Sequence, residues 1–253
     1  MKIFYYPIEW NDSCKSLIYE NKRIGFVPTM GAIHEGHLSL IKKSNIENDI
    51  TVVSIFVNKF QFNDPKDYEN YPIEIESDIT ILEKNNVDYL FLPSTQTMYP
   101  KDFSYKIVEN NLSNILCGKS RPGHFEGVLT IVAKLLNIIK PHSAYFGEKD
   151  YQQYLLIDNM VKSLLMNVRI VSCQTVRESD GLALSSINLL LSQNERELAA
   201  NFPRILSSNI SIEEKTKKLS SLGFDVDYVE EQFDRIFGAV KIGNVRLIDN
   251  VKK

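Results

Sequence analysis

FVPTMGAIHEGHLSLI, residues Phe26–Ile41, is the stretch from which the architecture of this chain is read. The apolar run Ile24–Val27 has β-strand character, and the strand is expected to end at Pro28. A turn follows at Gly31, and a helix is expected from about Glu35 to Asn48. A strand passing at once into a helix is half of a βαβ unit. The same alternation continues downstream. Ile50–Val57 is dense in Val and Ile, as suits a strand buried on both faces, and a helical stretch from about Ile73 to Asn86 leads into Tyr89–Leu92. Val128, Ile131, Leu135 and Ile138 form one helical stripe, and Tyr154, Ile157, Val161 and Leu164 form another. Between them lies the β-like Ala144–Phe146, and after them Val168–Val176. Strand–helix–strand alternation with short connections implies an α/β fold, a parallel sheet with helices on both faces. Such sheets bind ligands beyond the carboxyl ends of their strands, at the point where strand order reverses.

Beyond about Val176 the pattern changes. Ser192–Leu206 and Ser211–Leu222 read as helices rich in Glu, Lys and Ser, and short β-like runs follow at Val226–Val229 and Val245–Ile248. Two units are therefore expected: residues 1–175, and a small α+β unit over 176–253.

Composition narrows the function. Hydrophobic residues make up 43% and charged residues 24% of 253 positions, which supports a sizeable core. The formal net charge of −3 argues against a general nucleic-acid binder, which needs a basic face. Cys14, Cys117 and Cys173 are scattered with no CxxC pair and read as reduced thiols. The most apolar segment, Gly127–Ile139, is interrupted by Lys134 and falls short of the about 20 residues a bilayer needs. The opening MKIFYYPIEW lacks the apolar stretch of a signal peptide. A cytoplasmic protein without membrane or nucleic-acid partners is expected.

Five loops carry candidate chemistry. In the first, His34 and His37 share a face at a helix N-terminus, beside unpaired backbone N–H groups that attract phosphate. Gly36 removes a Cβ, which would let a ring or ribose come close to the backbone. Imidazoles can donate to phosphate oxygens at neutral pH. The bland alternative is one structural and one incidental histidine. A zinc site is disfavoured, because HEGH is one residue short of HExxH and no third ligand is apparent; no protein-bound metal is expected. Walker A and GxGxxG patterns are absent as well. The second loop, FGEKDYQQYLLI (146–157), places Lys149 at a strand's carboxyl end, with Asp150 able to reach ribose hydroxyls and Gln153 one turn on. A solvated lysine followed by a helix-capping aspartate is the competing view. The third, VRESDGLALSSINLLLS (176–192), offers Ser185 and Ser186, which suit phosphate or a plain helix cap. SIFVNKFQF (54–62) brings Asn58 and Gln61, and CGKSRPGHFEG (117–127) brings Lys119, Arg121 and His124.

PTMGAIHEGHLSLI resembles the signature of pantothenate synthetases, a branch of the HIGH-motif nucleotidyltransferases. SIFVN-x-x-QF, RPGHFEGV, FGEKDYQQ, DGLALSS-x-N and DYVE…RLIDN match the same family, in order, from about residue 24 to 250. The resemblance implies a Rossmann-like sheet with a small C-terminal lid domain, in a homodimer. It implies ATP-dependent joining of (R)-pantoate and β-alanine through pantoyl-adenylate, with Mg2+ accompanying ATP. Residue by residue, Pro28, Thr29, Met30, Gly31, His34, Gly36 and His37 would line the ATP site, with His37, His34 and Lys149 catalytic and His37 the proton donor. Gly147 and Asp150 would meet the ribose, Val176 the adenine, and Lys149, Leu184, Ser185, Ser186 and the Ile187 slot the phosphates. Gln61, Gln153, Asn58 and His124 would hold pantoate or β-alanine.

The chain departs from that pattern at three positions. Ile187 stands where the family usually has a phosphate-binding arginine, Ile73 replaces another arginine, and Lys59 replaces a proline. Two outcomes stand side by side: Lys59 restores part of the missing charge, or Lys59 is solvated and the enzyme is simply slower. Two rivals stay open: a sister nucleotidyltransferase acting on a phosphorylated precursor, and a nucleotide-binding protein that lost catalysis with Ile187.

Overall fold

The computed structural model describes residues 1–253. Six strands form one sheet: β1 (Lys2–Phe4), β2 (Ile24–Thr29), β3 (Ile50–Ile55), β4 (Tyr89–Phe91), β5 (Ser143–Gly147) and β6 (Arg169–Cys173). Their order is β1-β4-β3-β2-β5-β6, and every pairing is parallel.

Alternating residues send side chains to opposite faces, and both faces are covered. Phe26, Val52 and Phe91 join a core with Trp10, Leu135 and Ile157, from helices Pro7–Tyr19, His124–Ile139 and Tyr151–Ser163. Their neighbours Val27, Val53 and Leu90 join a second core with Ile41 and Leu82, from helices Glu35–Glu47 and Ile75–Lys84. This two-sided burial is why these strands read as unbroken apolar runs rather than alternating ones.

Strands β2, β3 and β4 progress toward one edge and β5, β6 toward the other, so strand order reverses between β2 and β5. There the sheet also opens. β2 pairs with β3 over six residues but with β5 only at Gly25↔Ser143 and Phe26↔Ala144. The carboxyl ends of β2 and β5 diverge into a crevice, and the two motif loops leave the sheet on either side of it.

The C-terminal unit is an antiparallel meander, β7 (Asp225–Gln232), β8 (Arg235–Ile242) and β9 (Val245–Lys252). Phe202, Leu206 and Leu219 from its helices pack on Val240 and Leu247. The helix expected over Ser192–Leu206 is two helices, Gln193–Ala199 and Asn201–Leu206. Pro203 has no N–H for the carbonyl four residues earlier, which interrupts the ladder. β1, the Pro7–Tyr19 helix and β8 lie outside the elements expected from sequence. No helix is long and apolar enough to cross a membrane.

Candidate active site

The loop after β2 is built on backbone geometry. Thr29 Oγ1 donates to the Ser54 carbonyl (2.8 Å) and accepts the Gly31 N–H (3.2 Å). Gly31 has φ +90° and Ala32 φ 51°, so two successive residues occupy left-handed backbone. A Cβ at Gly31 would also come within 3.0 Å of Asp78 Oδ2. The left-handed turn aims the N–H groups of Ala32 and Ile33 at the two oxygens of buried Asp78, at 2.9 and 2.7 Å. Burial raises the Asp78 carboxyl, and those two N–H groups oppose the rise.

His34 caps the helix Glu35–Glu47. Its Nδ1 accepts the Gly36 N–H (3.0 Å), and His37 Nδ1 accepts the His34 N–H at a long 3.4 Å, a reciprocal capping arrangement. Both Nδ1 atoms are acceptors, so each neutral ring carries its proton on Nε2. The ring centroids lie 4.1 Å apart with their planes tilted by 31°. Burial, His34 and Lys149 push His37 down to about 3; burial and Lys149 also lower His34. At neutral pH the pair therefore offers two Nε2–H donors rather than two cations. The close approach at Gly36 serves the protein itself, since a Cβ there would sit 2.7 Å from the His34 ring.

A pH prediction follows from the buried rings. His124 is also held at about 3, by burial and then by Arg121. A free imidazole titrates near 6.5, so between about 6.5 and 3 the unfolded chain binds protons that the folded chain excludes. Stability is fully present above about pH 6.5 and declines as pH falls through that window. Urea melts should show a loss on the order of 1–2 kcal/mol from His124 alone by pH 5. His124→Asn, whose amide can still donate to a carbonyl, should lose less; equal stability of the wild type at pH 7 and 5 would contradict the assignment.

Across the crevice, β5 ends at Gly147 and the chain turns through Glu148–Asp150 into the helix Tyr151–Ser163. Lys149 Nζ lies 3.7 Å from Asp150 Oδ2 and is the cation that both histidines feel. The C-terminal unit fixes this turn. Asn250 Nδ2 donates to the carbonyls of Glu148 (2.8 Å) and Lys149 (2.9 Å), and Arg235 pairs with Glu148 (2.6 Å) while bonding Asn250 Oδ1 (2.7 Å). The Arg235 guanidinium also lies 3.9 Å over the Tyr151 ring.

Gln61 Nε2 reaches Met30 Sδ at 3.0 Å, joining the third strand's loop to the first motif. Gln153, Lys149, Asp150, His124 and Arg121 line one cavity. Asn58 is a correction. It is 1% exposed, its amide donates to Gln61 Oε1 and the Gly127 carbonyl, and its oxygen accepts from Tyr99 Oη and the Phe60 N–H. Fully bonded inside the protein, it orients Gln61 and has nothing left for a substrate. His124 is committed on both nitrogens too: Nδ1–H donates to the Gln61 carbonyl (2.7 Å), and Nε2 faces Arg121 Nη1 (3.3 Å). It supports Gln61 and Arg121 from behind.

The segment after Val176 folds back, with the Leu184 N–H donating to the Val176 carbonyl (3.0 Å), which lays Leu184 beside Gly36. Ser185 Oγ accepts the Ile187 N–H (3.4 Å), and Ser186 Oγ lies 3.1 Å from Tyr71 Oη. Burial raises the Tyr71 hydroxyl, as do Asp150 and Asp78 nearby, so Tyr71 belongs to the crevice. Ile187 packs on the C-terminal core. Lys59 is exposed, its ammonium 5.1 Å from the centroid of the Phe60 ring. The cation acting on the histidine pair is Lys149, while Lys59 lies at the exposed edge over Phe60.

The sequence model of the pantoate-beta-alanine ligase family matches residues 2–252. The chain is 48% identical over 250 residues to the pantothenate synthetase of Legionella pneumophila strain Corby, covering 99% of each. It is 51% identical over 229 residues to that of Bdellovibrio bacteriovorus, covering 90% of this chain and 91% of the relative. A crystal structure of the Francisella tularensis pantoate-beta-alanine ligase, complexed with beta-gamma ATP and beta-alanine, superposes with TM-score 0.95 at 47% identity, over 100% of this chain and 97% of that one. The pantothenate synthetase of Thermus thermophilus gives TM-score 0.91 at 37% identity, over 100% and 99%. This chain belongs to the pantoate-beta-alanine ligase family. It is an ATP-dependent ligase with the α/β fold and small C-terminal unit of that family.

Within this ligase, sequence reasoning overlooked Asp78, Tyr71, Arg235 and Asn250. Asp78 had no motif around it, and only the fold brings its helix under the Gly31 turn. Asn250 lay inside the quoted RLIDN string, which was the available signal. No group of three or more His, Cys, Asp or Glu comes together as a metal ligand set, and both Asp78 oxygens are taken by backbone N–H groups.

Proposed function

We propose that the crevice between β2 and β5 joins (R)-pantoate to β-alanine with Mg-ATP, through pantoyl-adenylate. In the first step a pantoate carboxylate oxygen attacks the α-phosphorus, the bond to the β-phosphate oxygen breaks, and pyrophosphate leaves. In the second the β-alanine nitrogen attacks the acyl carbon, the acyl–oxygen bond to AMP breaks, and the nitrogen loses a proton.

The observation that carries this reading is the convergence of the His34/His37 pair and Lys149 on one opening of the sheet. Neutral Nε2–H donors at a helix N-terminus and one lysine cation can spread charge relief over a polyphosphate. In this reading the histidines stabilise phosphate charge by donating hydrogen bonds. Thr29, Met30 and Gly31 shape the nucleotide's seat, Gly147 and Asp150 face the ribose, and Val176 and Leu184 border the base and phosphates. Gln61 and Gln153 hold pantoate; Ser185 and Ser186 complete the phosphate side. Residues 1–175 then act as the binding unit and 176–253 as the lid that shields the adenylate from water. A homodimer is proposed with it.

Purified protein given ATP, Mg2+, pantoate and β-alanine should release AMP and pyrophosphate, and pantoate alone should support pyrophosphate–ATP isotope exchange. Absence of both at saturating substrates would overturn the reading. Exchange without AMP release in the full mixture would leave only the first step standing.

A further inference from the structure

Arg121 is a crevice cation with no carboxylate within ion-pair distance; Asp150, in the same cavity, and Asp67 act on it from farther away. Three arginines of residues 176–253 each have a carboxylate close by: Arg177 with Asp249 at 2.7 Å, Arg235 with Glu148 at 2.6 Å and Arg246 with Asp227 at 2.7 Å. Arg121 forms no ion pair. Its Nη2 donates to the Gln61 carbonyl (3.1 Å) and its Nη1 faces His124 Nε2 (3.3 Å). Of the five N–H donors on a guanidinium, three have no partner, and Arg121 lines the cavity shared with Lys149, Asp150 and Gln153.

A half-buried cation with spare donors costs free energy until an anion arrives. His124 sharpens the point: with Nδ1–H committed to a carbonyl, its Nε2 is an acceptor that fixes the plane of the guanidinium. A planar, pre-oriented fork matches a carboxylate better than a point charge does. Two substrates bring carboxylates. The one on pantoate must be free to attack phosphorus and then becomes an ester-like acyl group. The one on the amino acid stays unreacted through both steps and needs a holder a short chain length from the acyl carbon.

We infer that Arg121 receives the carboxylate of the incoming amino acid and so selects amines that carry one. This rests on the ligase reading above. Arg121→Gln should raise the KM for β-alanine roughly 30-fold, the scale of a lost charge-assisted contact. The kcat/KM preference for β-alanine over n-propylamine, a primary amine without the carboxylate, should shrink at least about 10-fold. Pantoate-dependent pyrophosphate–ATP exchange, which needs no amine, should stay within about threefold of wild type. Arg121→Lys should recover part of the preference. An unchanged β-alanine KM together with an unchanged amine preference overturns the inference. So does exchange that falls by the same factor as the overall reaction, because Arg121 would then serve the phosphates or merely hold Gln61. If the wild type itself shows no exchange, the ligase reading has failed instead, a result separable from either of these.

Discussion

Lys149→Ala should lower kcat about 1,000-fold and leave the melting temperature within about 2 °C of wild type. The two halves of this expectation have different physical origins. The side chain contributes little to the fold. Its only ion pair, with Asp150, spans 3.7 Å with the aspartate nearly half exposed, and such pairs contribute at most about 1 kcal/mol. The backbone around it is held by Asn250 and Glu148–Arg235, none of which depends on the ammonium. Catalysis is another matter. Ile187 supplies no charge, Lys59 sits over Phe60, and the histidines are neutral, so Lys149 is the cation acting on the nucleotide-facing pair. A loss of about 1,000-fold corresponds to about 4 kcal/mol of transition-state stabilisation. Pyrophosphate–ATP exchange should fall with the overall rate, since adenylate formation is the step affected. A loss under tenfold in steady-state kinetics would show that charge relief comes from elsewhere.

The legibility of this fold in the sequence follows its burial. β2, β3, β4 and β5 are covered on both faces, so their apolar runs stood out, and the strand–helix alternation led directly to a parallel sheet. β1 is three residues long and begins with an exposed lysine, too short to carry a pattern. The helix after it was readable in principle: Pro7 opens it, Glu9 reaches back to the Tyr6 N–H, and Trp10, Cys14 and Leu17 share its buried stripe. β8 was hidden by its turn. The hairpin joining it to β7 passes through Phe233 and Asp234 at φ 52° and 54°, where Asn-Gly would have announced it.

The site divides in the same way. Loops that follow strands of a parallel sheet were found because topology sends them to one edge, and the His34/His37, Lys149 and Ser186 segments do meet there. What motif spacing could not reveal was which polar residues face inward to the protein. Asn58 and His124 look like ligands in a string of letters, yet each is fully engaged in holding Gln61. Arg121, beside them, has donors to spare.

Asp78→Ala should produce the largest loss of stability at the site. Asp78 is 1% exposed, and its two oxygens are the partners of the Ala32 and Ile33 N–H groups. Alanine would leave both donors buried and unpaired, at about 1–3 kcal/mol each. Against a typical total of about 5–15 kcal/mol, this is a large share, and a fall in Tm of roughly 10 °C is expected. The effect should reach the chemistry as well. Ala32 carries a Cβ in left-handed backbone, a conformation the Asp78 bonds help to hold, and His34 begins the helix two residues later. With the tie removed, the turn relaxes, the two imidazoles lose their register, and the KM for ATP rises along with the fall in stability. Asp78→Asn separates the causes. It keeps the volume and one acceptor oxygen, but it aims an NH2 group at the second N–H, so it should recover about half of the lost stability. Urea denaturation of the two variants, read beside their KM for ATP, checks this. Wild-type stability in Asp78→Ala would mean that water satisfies those N–H groups and that the turn stands without its carboxylate.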